Sequence, residues 1–172
     1  KLSRNFSLSE FTKSSSALRL GIDNTPEGEH LEAAKLLFES VVQPVWDEFG
    51  LTVINSGYRC PALNEAIGGA KTSQHCKGEA ADIEVPGTAN IVVAKWIQNF
   101  LKFDQLILEF YSKNDPSAGW VHISYKKEGN RNEALTATKD GGSLVYIKGL
   151  PSWCLFLDIN AISYTYGGIL YY

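Results

Sequence analysis

Cysteine is scarce in this chain of 172 residues: Cys60, Cys76 and Cys154 are odd in number and show no CxxC spacing, so no disulfide framework is expected. A structural zinc site, which favours four protein ligands with cysteine among them, is disfavoured on the same ground. Long apolar runs are also missing. No uninterrupted apolar stretch reaches the length of about 18 residues that a membrane span needs, so none is predicted. Basic charge is not in excess either: 16 Lys and Arg against 19 Asp and Glu leave a net charge of −3, without a basic run. This removes the electrostatic case for a nucleic-acid partner. No internal repeat, low-complexity tract or signal-peptide pattern is visible. The composition that remains, 44% hydrophobic and 20% charged, suits a single domain able to bury roughly 70% of its extended-chain surface. Nothing calls for a partner chain, and a monomer is expected.

Histidine is rare too, with three in the chain, and two of them lie in one constellation. The segment Ser73-Gln74-His75-Cys76-Lys77-Gly78-Glu79-Ala80-Ala81-Asp82 is followed later by Trp120-Val121-His122-Ile123-Ser124. Two imidazoles and one carboxylate form a ligand set for catalytic zinc, which leaves the fourth tetrahedral position open to water. Gly78, Ala80 and Ala81 are small enough for a tight loop to carry His75 while Ala81–Val85 runs on as a strand. Strand alternation puts Trp120, His122 and Ser124 on one face and Val121 and Ile123 on the other. If these two strands pair antiparallel, Asp82 and His122 meet, and the loop returns His75 to the same point. Taken singly, each is an ordinary loop or strand residue; together they read as a site. Cys76, beside His75, is read as incidental, and His30 as a residue on the polar start of a helix.

The pattern SxHxxGxAxD followed by WxH resembles that of the zinc peptidases that cut D-amino-acid-containing peptides of bacterial cell walls. These comprise D-alanyl-D-alanine carboxypeptidases, the D,D-dipeptidases of vancomycin resistance and the L-alanyl-D-glutamate endopeptidases of phage lysins, and they share a fold with the hedgehog signalling domain. The resemblance runs over about residues 1–148. It is closest to the short phage and prophage form, since Asn5-Phe6-Ser7-Leu8-Ser9-Glu10-Phe11 and Ser56-Gly57-Tyr58-Arg59-Cys60-Pro61 resemble its opening motifs. It implies Zn²⁺ held by His75, Asp82 and His122, and hydrolysis of peptidoglycan stem peptides. A phage-encoded member would sit in the host cytoplasm before reaching the wall. The hedgehog relatives imply an alternative: a metal-bearing but inactive binding module.

Hydrolysis also needs a base to take a proton from water and pass it to the leaving amine. Much of the family carries that carboxylate three residues before the second histidine, where this chain has Gly119. In the phage-type members a Glu closes the preceding strand, and Phe103–Phe110 matches with Glu109; Glu79 and Asp115 are the alternatives. Arg59 can bind an oxyanion or a substrate carboxylate through two parallel hydrogen bonds, and the resemblance supports the oxyanion. Ser73, Gln74, Trp120 and Tyr58 are candidates for contacts with substrate. The loops Gly21–Asn24 and Lys113–Gly119 are expected to close the cleft.

The expected architecture is α+β, with a central antiparallel sheet, flanking helices and a hedgehog/DD-peptidase-like arrangement. Ser7-Leu8-Ser9-Glu10 has capping-box form and opens a short helix. Leu31, Ala34, Leu37, Phe38, Val41, Val42 and Val45 form the stripe of a helix over Gly28–Phe49. Further helices are expected over Pro61–Ile67 and Asn90–Leu101, with strands at 51–55, 81–85, 104–110, 120–126 and 143–147. Residues 149–172, rich in Trp, Phe, Ile and Tyr, form an extension expected to pack on the domain, the alternative being an adhesive surface.

Overall fold

A computed structural model describes residues 1–152; the expected packing of the extension falls almost wholly on residues 153–172, outside the described residues. Helix α1 (Leu8–Thr12) opens on the predicted capping box, the Ser7 hydroxyl accepting from Glu10 N–H and the Glu10 carboxylate from Ser7 N–H. Helix α2 (Ser15–Leu20) was not expected. It buries only Ala17 and leaves Leu18 86% exposed, so no apolar stripe betrays it; the Ser14 hydroxyl caps it by accepting from Ala17 N–H.

The long helix forms in three pieces: α3 (Gly28–Leu37), a π-helical turn at Phe38–Val42, and α4 (Gln43–Phe49). Pro44 accounts for the interruption. It has no N–H to donate to the preceding turn and its ring crowds the carbonyl there, which a wider turn accommodates. The stripe is unbroken all the same, with Ala34, Leu37, Phe38, Val41, Val42 and Val45 fully buried. Helices α5 (Pro61–Ala66) and α6 (Asn90–Phe100) form close to their expected limits.

Among the described residues six strands make one sheet: β1 (Val53–Ser56), β2 (Ala80–Glu84), β3 (Gln105–Glu109), β4 (Trp120–Ser124), β5 (Glu133–Asp140) and β6 (Ser143–Lys148), in the order β1-β2-β4-β3-β5-β6. Every pairing is antiparallel except β3 with β5, which is parallel. The sheet is therefore mixed at that step, because the connection after β4 crosses β3 and lays β5 on its far edge. Strand β5 itself was not expected: it has no strict alternation, and Thr136 and Thr138 are its only β-branched residues. One face of the sheet is the core. There Ala81, Ile83, Leu106, Leu108, Val121 and Ile123 pack with residues of α3, α6 and the π turn. Phe38 meets Phe6 and Phe11 edge to face, contacts worth about 0.5–1.5 kcal/mol each beyond the area they bury. No helix among the described residues is long and apolar enough to cross a membrane.

Candidate metal centre

The other face of the sheet carries the site. Antiparallel pairing of β2 with β4 puts Asp82 directly opposite His122, as strand alternation predicts, and Ile107 of β3 lies opposite His122 on its other side. His75 arrives on a 3₁₀ turn (Gln74–Lys77) that ends at Gly78 with φ 73°. A Cβ at Gly78 would fall 2.1 Å from the His30 carbonyl oxygen, so only glycine lets the turn lie this close to α3. Immediately after it, Ala80 and Ala81 are fully buried.

His75 Nε2, His122 Nδ1 and Asp82 Oδ1 converge: the separations are 3.3 Å between the imidazoles, 2.9 Å from His122 to Asp82 and 3.4 Å from His75 to Asp82. Tetrahedral zinc with bonds of about 2.05 Å would space its ligand atoms about 3.3 Å apart, so this triangle fits the ion. All three residues are buried, and among the described residues they are the one His/Cys/Asp/Glu group with ligand atoms this close. The His75 tautomer is fixed as well. Its Nδ1 lies 2.7 Å from the Gly57 carbonyl oxygen, which can only accept, so the proton sits on Nδ1 and the Nε2 lone pair faces the site.

Electrostatics favour the ligating forms. Burial pushes the His75 pKa down, against the pull of Asp82, which keeps the ring neutral. Burial works to raise the Asp82 pKa, but its hydrogen bond with His122, foremost among its interactions with the two imidazoles, overcomes this and holds the carboxyl well below the ordinary range. The second Asp82 oxygen is 3.4 Å from the Arg59 guanidinium, whose Nε donates to Ser56 Oγ at 3.1 Å. A bulge between Ile54 and Ser56 brings Ser56 opposite Asp82, and this sets Arg59 at the site.

A cleft of about 490 Å³ opens over the triad, with Arg59, Ser73, Gln74, Glu109 and Trp120 in its walls. Tyr58 is not brought there. It is 5% exposed, packs in the hydrophobic core and places its hydroxyl 3.3 Å from His30 Nδ1. Of the three candidate bases, Glu109 lines the cleft, whereas Glu79 approaches Gln74 and Asp115 caps the exposed turn at Ser117. Position 119, three residues before His122, has no room for a carboxylate of its own. With φ 73°, a Cβ there would fall 1.8 Å from the Glu109 carbonyl oxygen, so the position admits no side chain. Burial, and then repulsion from Asp82, raise the Glu109 pKa; His122, Arg59 and the Trp120 indole oppose the rise. The Trp120 N–H lies near that carboxylate without reaching hydrogen-bonding geometry, and it has no other partner.

The loops expected to close the cleft do not line it. Asn24 is instead a buried pin, donating to the carbonyls of Thr12 and Tyr58 and accepting from Cys60 N–H. The walls are completed by Ala70 and Thr72 on one side and Gln105, Arg131 and Tyr146 on the other. Gln105 and Ile107 could have been read from the alternation that exposes Glu109; Arg131 and Tyr146 could not, because Arg131 is brought there by Asp104 beside the β3–β5 pairing and Tyr146 by the β5–β6 pairing. Asp104 shapes that wall. Its carboxylate, with no exposed surface, accepts from Gln74 Nε2 at 3.0 Å and from both the main chain and guanidinium of Arg131, and Lys126 Nζ lies 2.9 Å away. Cys60 and Cys76 are free thiols.

Two histidines and one aspartate on an open cleft are the donor set of a hydrolytic zinc site rather than a closed structural one. The chain belongs to the peptidase M15 family, whose profile matches residues 4–124. Members are zinc-dependent metallopeptidases, and the whole ligand triad falls inside the matched segment. No curated protein matches the chain.

Proposed function

We propose that this protein hydrolyses peptide bonds in the stem peptides of bacterial peptidoglycan and serves as the lytic enzyme of a phage or prophage. The observation that carries the reading is Glu109, a carboxylate with a raised pKa in the same cleft wall as the His75–Asp82–His122 triad. Zinc, when bound, supplies a Lewis acid and lowers the pKa of water to about 7. Glu109 takes the proton from the attacking water and passes it to the departing amine, a role that suits a carboxylate whose pKa is lifted toward neutrality. Arg59 stands at the triad with its guanidinium available to the developing oxyanion, while Asp82 holds it in place. His75 is kept neutral and oriented by Gly57, and Trp120 walls the peptide in.

Chelator should abolish release of free amines from purified peptidoglycan, and Zn²⁺ should restore it. Unchanged release in chelator would sink the metal mechanism. Mass spectrometry of fragments from defined muropeptides identifies the bond cut and separates carboxypeptidase from endopeptidase action. The binding-module alternative rests on Gly119 standing where much of the family has its base. It predicts intact muropeptides under every condition.

A further inference from the structure

A second groove, of about 400 Å³, lies between the segment 13–16, β1 and the α5 side chain Leu63 with Ile67 beyond the helix end, and Arg59 belongs to its wall as well as to that of the metal cleft. One peptide could therefore run from one to the other past the guanidinium. Strand β1 is the outermost of the sheet on this side, and among the described residues Val53–Ser56 make no main-chain hydrogen bond beyond the sheet. Val53 is 40% and Ile67 46% exposed, which gives the groove an apolar surface. Its charge is all of one sign. Lys13 and Arg59 line it, no Asp or Glu does, and the exposed Lys13 has no ion-pair partner among the described residues, in a chain whose net charge is −3.

We propose that this groove is a substrate subsite that holds a carboxylate-bearing residue of the peptide, with Lys13 as the cation that selects it. The inference rests on the peptidase reading above. Ser56 lies opposite Asp82 on the neighbouring strand, so a residue seated beyond the outer edge of β1 would lie two strand spacings, about 10 Å, from the ligand strand. An extended peptide covers about 3.3 Å per residue, which sets the selected carboxylate two to three residues from the scissile bond. Val53 and Ile67 offer contact to the aliphatic parts of the same residue.

The test uses the zinc-loaded chain and two stem peptides that differ only in whether the flanking carboxyl is free or amidated. Lys13→Glu should raise KM for the free acid by about tenfold while kcat holds, because an exposed charge acts on encounter and binding rather than on the chemical step. The amidated peptide should be processed alike by both proteins. Calorimetric binding of the same peptides to Glu109→Gln, with and without Lys13→Glu, should show the same preference without turnover. If Lys13→Glu changes KM and affinity equally for both peptides, or for neither, the subsite is refuted. If neither peptide is cut but the free acid still binds more tightly in a Lys13-dependent way, the peptidase reading fails and the subsite stands.

Discussion

In β2 and β4 all but one residue of each strand is buried, whereas in β6 every residue is exposed. The two regions share a sheet and a cleft, yet they contribute in different ways. Burial around β2 and β4 keeps the His75 ring neutral, while the neighbouring histidines hold the Asp82 carboxylate ionised against the effect of its own burial. The β5–β6 hairpin, closed by Gly141 and Gly142 at φ 56° and 86°, lends Tyr146 to the cleft and little to the core. The family match ends at residue 124, before the hairpin begins. The candidate ligands thus sit in and beside the buried strands, and the rim of the cleft is built in part from the exposed ones.

The largest test of that contrast is removal of a ligand. His75→Ala or Asp82→Ala should lower bound zinc from one per chain to near zero and cut activity by on the order of a thousandfold or more. Metal analysis after gel filtration reads this directly, and full zinc occupancy in either variant would refute the triad. Glu109→Gln comes next: kcat should fall about a hundredfold or more while zinc is retained, as expected when general-base catalysis alone is lost. Stability should move the other way. The folded protein raises the Glu109 pKa, so its ionised form is disfavoured relative to the unfolded chain; the group adds stability at acid pH and loses it as pH rises through the folded value. At pH 7 the metal-free Glu109→Gln protein should therefore melt no lower than wild type. A clear drop in its midpoint would mean that Glu109 is structural. Glu79→Gln and Asp115→Asn should stay within a few-fold of wild-type activity.

Asp104 joins the two regions and should give a smaller effect, on stability first. Asp104→Ala strands the charge of Lys126, leaves Arg131 only its pair with Glu133 and frees Gln74; since both cations are partly exposed, the expected loss is about 2 kcal/mol rather than the larger cost of a fully buried pair. Urea unfolding measures it. A loss under about 0.5 kcal/mol, the range of an ordinary surface change, would show that the rim is not tied down through this carboxylate.

Legibility in the sequence follows the same division. Asp82 and His122 can be set opposite each other from sequence because a two-residue period and a pairing direction suffice, and the small residues before Asp82 already mark the tight turn of His75. The helical stripe from Ala34 to Val45 is equally readable, though the π turn is not, since nothing in an apolar pattern records what Pro44 does to the turn before it. Tyr58 could wall a cleft or fill a core, and its aromatic ring fits either; only packing sends it inward. Strand β5 escapes because its pairing with β3 depends on a chain crossover rather than on its own residues. Arg131 and Tyr146 escape with it.

The smallest expected effect belongs to β6, where Leu144, Val145, Tyr146 and Ile147 are 37–53% exposed. Substituting Leu144 or Ile147 by Ser removes apolar surface that already meets water, so the unfolding free energy should change by no more than about 0.5 kcal/mol. The same change at Val121 or Ile123, which are fully buried in β4, should cost several times as much, because it leaves both a cavity and an added hydroxyl in the core. Tyr146→Phe refines the point by leaving the ring in place. The cleft wall keeps its shape, zinc should remain bound, and any change should appear in KM or kcat through the lost hydroxyl near Glu109 rather than in the melting midpoint. Should Leu144→Ser or Ile147→Ser instead lower stability by more than about 1.5 kcal/mol in the full chain, the hairpin is covered rather than exposed, and the contrast between the buried ligand strands and a bare rim fails.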